Sequence, residues 1–278
     1  VTDVLVLQEN PLTRGSLFDD HVHSSMSPDA RDGVAALCDV ALERGLAGLA
    51  ITDHFDTEPA DPGYGHYDCD RLSREVEQAR RAYEGRLAIL VGAEICFQPV
   101  FLPRIVAFLD ACPLDFALGS VHWIERELVD RAYLAQHGAD AAYEGYLRIV
   151  EQAVGTGLFD AIAHLDLPKR HLPPEHGLVD LRPHWAALER ILKLMVEQGT
   201  ALEINVSGWR HGLGEPLPCE AVVRRYRELG GTRITIGTDS HRIGVLGRDI
   251  ARGQELARRA GFTHVTRFVG RRPLSMPI

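Results

Sequence analysis

The sequence predicts an α/β barrel of seven strand–helix units, folded as a single domain over residues 1–278. Three observations predict it. Short apolar runs alternate with amphipathic helical stretches, which implies a mainly parallel sheet with helices outside. Seven such units in one chain fit a barrel better than an open sheet. Almost every apolar run ends in histidine or a carboxylate, and a barrel gathers its strand C-termini on one face, where sites form.

The units follow one another along the chain. The first strand is read over 17–20, where Leu17 and Phe18 run into Asp19, Asp20, His21 and His23, and a helix over 33–44 follows. The second strand, 48–52, ends in Asp53 and His54. Residues 56–68 then form a long loop rich in Pro, Gly, Asp and His, before a helix over 69–83. The third strand, 87–91, leads to Glu94, and the stretch from Glu94 to Phe116 reads as irregular. The fourth, 116–119, leads to His122, with a helix over 139–155. The fifth, 159–163, ends in His164 and Asp166, and a second long loop spans 168–183. In the helix over 183–198, Trp185, Leu188, Ile191, Leu192, Met195 and Val196 recur at helical spacing and Gly199 stops it. The sixth strand, 201–205, carries Glu203 and Asn205, with a helix over 219–229. The seventh, 233–237, leads to Asp239 and His241, with a helix over 246–260. The closing RRPLSMP, 271–277, reads as a tail with solvent-facing arginines.

Composition narrows the function. A net charge of -9 argues against a nucleic-acid-binding surface, although a locally positive pocket can still take a small phosphorylated substrate. Five cysteines without a CxxC pair form neither a disulfide framework nor a zinc ribbon, and read as reduced thiols of a cytoplasmic protein. The sequence shows no signal peptide and no apolar run long enough to span a membrane, so no membrane partner is expected.

Taken singly, the polar strand ends have ordinary explanations. A lone histidine after a strand is usually a hydrogen-bonded structural residue, and an Asp-x-His can cap a helix. Their repetition at nearly every strand end points to a metal site. Imidazole and carboxylate together suit Zn, Fe or Mn, and carboxylates can bridge two ions. Side chains at i and i+2 of an extended backbone point the same way, so His21 and His23 can chelate one ion, and Asp239 and His241 can face adjacent ions. Open positions on such ions suit hydrolysis of a phosphorylated or carbonyl substrate. The chain contains no P-loop, dinucleotide-binding fingerprint or GxSxG elbow.

Seven ordered blocks, DDHVHS, ITDH, GAE, GSVHW, AHLD, EIN and GTDSH, resemble the polymerase-and-histidinol-phosphatase (PHP) family. HLDLPKR, LEINVSGWR and GTDSHRIGVLG are similar to its stand-alone histidinol-phosphate phosphatase branch. The resemblance implies a distorted seven-unit barrel with two to three divalent transition-metal ions. One ion would take His21, His23, Glu94 and Asp239; a second would share Glu94 and add His122 and His164. A third would take His54, His241 and Asp29, where other members carry His or Asp. Glu94, Asp239 and His241 would be catalytic. Arg170 and Arg210 resemble the branch's phosphate-clamping arginines, with Lys169 a weaker candidate. Asp20 is read as a residue that orients a histidine, and His171, His176 and His211 as loop residues near the mouth that could meet the substrate. The implied activity is phosphomonoester hydrolysis, with L-histidinol phosphate as substrate. A phosphatase or phosphodiesterase acting on another small ester, and a non-catalytic metal-binding module, stay open as alternatives.

Overall fold

The computed structural model describes residues 17–172 and 180–278. Helix α1 (Val34–Glu43) follows β1 (Phe18–Val22) and leads into β2 (Gly48–Phe55). Next come α2 (Cys69–Ala82), β3 (Ala88–Cys96), α3 (Leu102–Ala111) and β4 (Phe116–Ser120). A small hairpin of β5 (Trp123–Ile124) and β6 (Glu127–Leu128), with the short α4 (Arg131–His137), precedes α5 (Ala139–Gly155) and β7 (Ala161–Ile162). The alternation continues through α6 (Trp185–Gln198), β8 (Ala201–Asn205), the one-turn α7 (Ser207–Arg210), α8 (Glu220–Glu228), β9 (Ile234–Gly237) and α9 (Ile250–Arg259). An antiparallel pair, β10 (His264–Val269) and β11 (Arg272–Pro277), follows.

The strands β1, β2, β3, β4, β7, β8 and β9 lie side by side in that order, each pair parallel. The last returns to the first just beyond the strand ends. The His23 N–H donates to the Ser240 carbonyl and the Asp239 N–H to the His21 carbonyl, both at 2.9 Å. The sheet is therefore a nearly closed barrel, and this closure places the end of β9 against the end of β1.

Side-chain size fits the barrel's bore. A seven-stranded barrel is narrower than the eight-stranded kind, whose interior just accommodates packed side chains. The interior cluster is accordingly rich in alanine: Ala50, Ala88, Ala161, Ala163 and Ala201 share it with Phe18, Leu90, Phe116 and Leu118. The larger apolar residues lie outside, between strands and helices. In α6 the buried stripe is Leu188, Ile191, Leu192 and Met195, and Gly199 ends the helix in the left-handed conformation at φ 71°. Asp68 and Asp130 cap α2 and α4 by accepting the N–H of Arg71 and Tyr133.

Four expectations need correction. Residues 271–277 are no tail: they form β11, paired along its length with β10. Two prolines hid the strand, and both are tolerated because β11 is an edge. Arg271 sits at the turn and bonds Asp160 and the Leu158 carbonyl, while Arg272 faces solvent as expected. The pair covers the lower end of the barrel, where Phe268 stacks on Phe116 with centroids 5.4 Å apart. The stretch after Glu94 contains α3, which buries only Ile105 fully and so carries no 3.6-residue polar–apolar alternation to read. Cys69 and Cys112 are disulfide-bonded, joining the start of α2 to the residue after α3. These cysteines stand 43 apart in sequence, with no spacing motif to reveal the pair. Cys38, Cys96 and Cys219 are free. The helix expected over 246–260 begins only at Ile250, after a 3-10 turn at Ile243–Val245. Among the described residues no helix is long and apolar enough to cross a membrane.

Phe268 is 3% exposed, and Phe268→Ala removes the ring that closes the interior cluster. The variant should lose about 3–5 kcal/mol in urea denaturation. A loss below about 1 kcal/mol would mean that the hairpin contributes little to the barrel's core.

Candidate metal centre

The upper end of the barrel assembles side chains that are far apart in sequence. The β1–β2 pairing is irregular between Asp19 and Val22, and such irregularity re-aims side chains at a strand end. His21 and His23 both turn inward there, with Nε2 atoms 3.0 Å apart. His164 (φ 28°) and Asp239 (φ 53°) occupy positive-φ backbone, which is uncommon for non-glycine residues and costly unless neighbours enforce it. Here neighbours do. Glu203 accepts the His164 N–H at 2.8 Å, and the Arg210 guanidinium donates to the Thr238 and Asp239 carbonyls at 2.8 and 2.9 Å. Gly237 is needed for close approach, since a Cβ there would collide with His21 and crowd the Glu203 carboxylate.

Glu94, at the end of β3 and 1% exposed, stands at the centre. Its Oε2 lies 3.4 Å from His21 Nε2, 3.5 Å from His23 Nε2 and 3.1 Å from His54 Nδ1. Its Oε1 lies 2.8 Å from His164 Nε2 and 3.3 Å from His122 Nε2. Asp239 Oδ1 reaches 3.9 and 3.7 Å from the Nε2 atoms of His21 and His23. A third grouping sits to one side, with Asp29 Oδ2 3.0 Å from His241 Nε2 and 3.7 Å from His54 Nε2. His54 Nε2 and His241 Nε2 are 3.3 Å apart. The nine expected ligands thus converge as three adjacent groups; Glu94 lies between the first two and also touches His54 of the third.

The hydrogen bonds around the rings show why a cation fits. Glu203 takes His21 Nδ1–H at 2.6 Å, so a neutral His21 has a bare Nε2. Ser27 Oγ donates to Asp53 at 2.7 Å, which leaves it to accept from His23 Nδ1–H at 3.1 Å and from the His54 N–H. A neutral His23 therefore also has a bare Nε2. Two lone pairs facing each other at 3.0 Å need a shared proton or metal ion between them. His241 Nδ1 faces the Asp239 carbonyl at 3.2 Å, which directs its Nε2 toward Asp29. Ring orientation by such outer partners is characteristic of metal-binding histidines.

The charges agree. Burial alone would push His21, His54 and His122 toward neutral, yet carboxylates reverse it: Glu203 and Glu94 for His21, Glu94 and Asp29 for His54, Glu94 for His122. His122 is raised to about 10. Glu94 and Asp239 remain well below the usual carboxylate range despite burial, held there chiefly by His21, with His122 and His54 acting on Glu94 and Arg170 and His241 on Asp239. His23 is lowered, by burial and by the rings around it. The site holds buried negative charge that calls for cations.

A cavity of about 560 Å³ opens over this centre. Arg170 and Arg210 line it, Arg170 with one nitrogen 3.0 Å from Asp239 Oδ2. His171 and His211 line it too, both lowered to about 4 by burial and by nearby arginine. Lys169 does not reach it. This ammonium is 2% exposed and spends its N–H groups on Asp166, Glu215 and the Pro216 carbonyl at 2.7, 3.0 and 2.7 Å. Asp20 also departs from expectation. It accepts the Ile236 N–H inside the barrel and faces Arg267. The carboxylate that orients a histidine is Glu203, a strand-end residue in the sequence with no role assigned. His176 lies outside the described residues. His137 and His184 stand away from the centre, His137 against Glu127 and His184 on Tyr143. Asp56, Asp61, Asp130 and Arg242 complete the cavity wall; no spacing rule marks loop residues of this kind.

A family model described as PHP domain matches residues 19–207, which leaves Asp239 and His241 beyond the matched segment. A probable histidinol-phosphatase of Deinococcus radiodurans is 30% identical over 262 residues, covering 90% of this chain and 96% of that protein. A histidinol-phosphatase of Lactococcus lactis is 26% identical over 259 residues, covering 91% and 94%. Among solved structures, a histidinol phosphate phosphatase from Lactococcus lactis, complexed with zinc, L-histidinol and phosphate, superposes with a TM-score of 0.86 at 25% identity. That match covers 93% of this chain and 99% of the other.

Two outcomes follow from the geometry. His122 is raised to about 10, so in chelator-stripped protein at pH 8 it carries a proton that a metal must displace. Adding zinc to such protein in weak buffer should therefore release protons; no release would contradict the charge assignment. Glu203→Gln weakens the hold on His21 and should lower zinc affinity by about 10- to 100-fold, measured by competition with a chromophoric chelator. Unchanged affinity would show that Glu203 does not serve His21.

Proposed function

The chain belongs to the PHP domain family, and from this membership we propose that it is a metal-dependent phosphomonoesterase converting L-histidinol phosphate and water to L-histidinol and phosphate. The observation that carries the reading is Glu94, one carboxylate shared by two histidine groups, beneath a cavity bearing Arg170 and Arg210. In this reading His21, His23, Glu94 and Asp239 hold one ion. Glu94, His122 and His164 hold a second, and Asp29, His54 and His241 a third. Zinc fits this all-imidazole-and-carboxylate donor set, as do iron and manganese. When bound, the ions would lower the pKa of a water molecule and neutralise phosphate charge.

The chain's own groups supply the rest. Arg170, anchored on Asp239, and Arg210, anchored on the carbonyls of Thr238 and Asp239, keep further N–H groups for the non-bridging phosphate oxygens. Their anchors fix the guanidinium planes before substrate arrives, so little ordering is left for the reaction itself. Glu203 and the Asp53–Ser27 pair keep His21 and His23 in the tautomers that present Nε2. As proposed, the chain acts as one domain in the cytoplasm on a small biosynthetic ester.

Protein loaded separately with zinc, manganese or iron should release phosphate from L-histidinol phosphate faster than from a panel of other phosphate esters. Faster turnover of another ester would keep the site and move the substrate. Arg170→Ala should lower kcat/KM by about 100-fold or more, and Glu94→Gln should abolish turnover. Near-wild-type activity in the Glu94 variant would overturn the site assignment.

A further inference from the structure

Resting on the phosphatase reading, we propose that Asp56, with Asp61 beside it, is a cation subsite that binds an ammonium group on the alcohol part of the ester, so that the pocket selects phosphate esters of amino alcohols. Asp56 follows the His54 strand end and is 3% exposed, yet it lines the cavity. Among the described residues no donor hydrogen-bonds its carboxylate. It lies within 4.8 Å of ring nitrogens of His54 and His122 without bonding either.

Most other buried carboxylates around the centre have hydrogen-bond donors. Asp19 takes Thr238 and the Gly247 N–H, and Asp53 takes Ser24 and Ser27. Glu203 takes His21, His164 and Asn205, and Asp166, whose Oδ1 has no hydrogen-bond partner, is neutralised by the Lys169 ammonium at 2.7 Å. A buried carboxylate left without a donor is costly, and a ligand that brings the donor removes the cost.

The loop holds Asp56 in place. Gly63 packs so closely on Asp56 Oδ2 that a Cβ there would collide with it. Asp61 is also fixed, accepting Trp123 Nε1–H and the Gly63 N–H, each at 2.7 Å, and it too faces the cavity. The arginines stand elsewhere, on Asp239 and its neighbouring carbonyls. The pocket therefore has a guanidinium side for phosphate and a carboxylate side for a cation. A further metal ion is a poorer occupant. His54 Nε2 already faces Asp29 and His241, and His122 Nε2 faces Glu94 and His164.

The test compares L-histidinol phosphate with 3-(imidazol-4-yl)propyl phosphate, the same ester without the amine. Wild-type protein should prefer the amine ester, and L-histidinol should inhibit it more strongly than the des-amino alcohol. Asp56→Asn should cut the ratio of the two kcat/KM values by about 100-fold, with the metal count per chain unchanged. Equal kcat/KM values in wild type, an unchanged ratio in the variant, or loss of an ion from the variant would each overturn the subsite. The two wild-type measurements stand even if the variant does not fold. Failure of wild type to hydrolyse either ester would instead overturn the histidinol phosphate reading on which the subsite rests.

Discussion

The burial of Glu94 amid five imidazoles is the interaction on which the rest of this protein depends. A carboxylate with 1% exposure is tolerable only if positive charge or hydrogen-bond donors surround it. The barrel supplies the surroundings by bringing the ends of β1, β2, β4 and β7 to the end of β3. His21, His23 and His54 approach one oxygen and His122 and His164 the other. Without a metal ion, His21, His54 and His122 answer by favouring their protonated forms; in the proposed reading the same carboxylate would join two ion sites. Closure of β9 onto β1 then adds Asp239 to the first group and His241 to the third.

An outer layer makes this arrangement definite. Glu203 links three parts of the centre at once: it holds the His21 ring, fixes the backbone of His164 and takes the Asn205 amide. Asp53 works through Ser27 to set the tautomer of His23. The positive-φ conformations of His164 and Asp239 are the local cost of aiming these side chains, offset by the hydrogen bonds that surround them. The arginines belong to the same layer, since each is anchored on residue 239 or its neighbour and so moves with the centre.

Much of this was legible in the sequence because period and position carry it. Parallel strands buried on both faces read as continuous apolar runs, and the seven runs reappear as the seven barrel strands, though β3 runs on to Cys96 and β7 shrinks to Ala161–Ile162. Ligand types recurring at strand ends located the centre, and the nine residues named for it meet there. What was not legible lacked a local signal. Helix α3 has no polar face to set a period, and β11 carries prolines that an edge strand tolerates. Lys169 looks like a substrate-facing cation until the fold places Asp166 and Glu215 against it. Asp20 sits next to His21 in sequence but points into the barrel, whereas Glu203, 182 residues away from His21, holds its ring. The cavity walls come from loops whose packing no spacing rule describes.

The central claim is that Glu94 joins two ion sites while the Asp29–His54–His241 group forms a separate one. Elemental analysis of zinc-loaded wild-type and Glu94→Gln protein tests it most directly. The account predicts three zinc ions per chain in the wild type and one in the variant, with the fold retained by circular dichroism. A folded variant that keeps all three ions would contradict it.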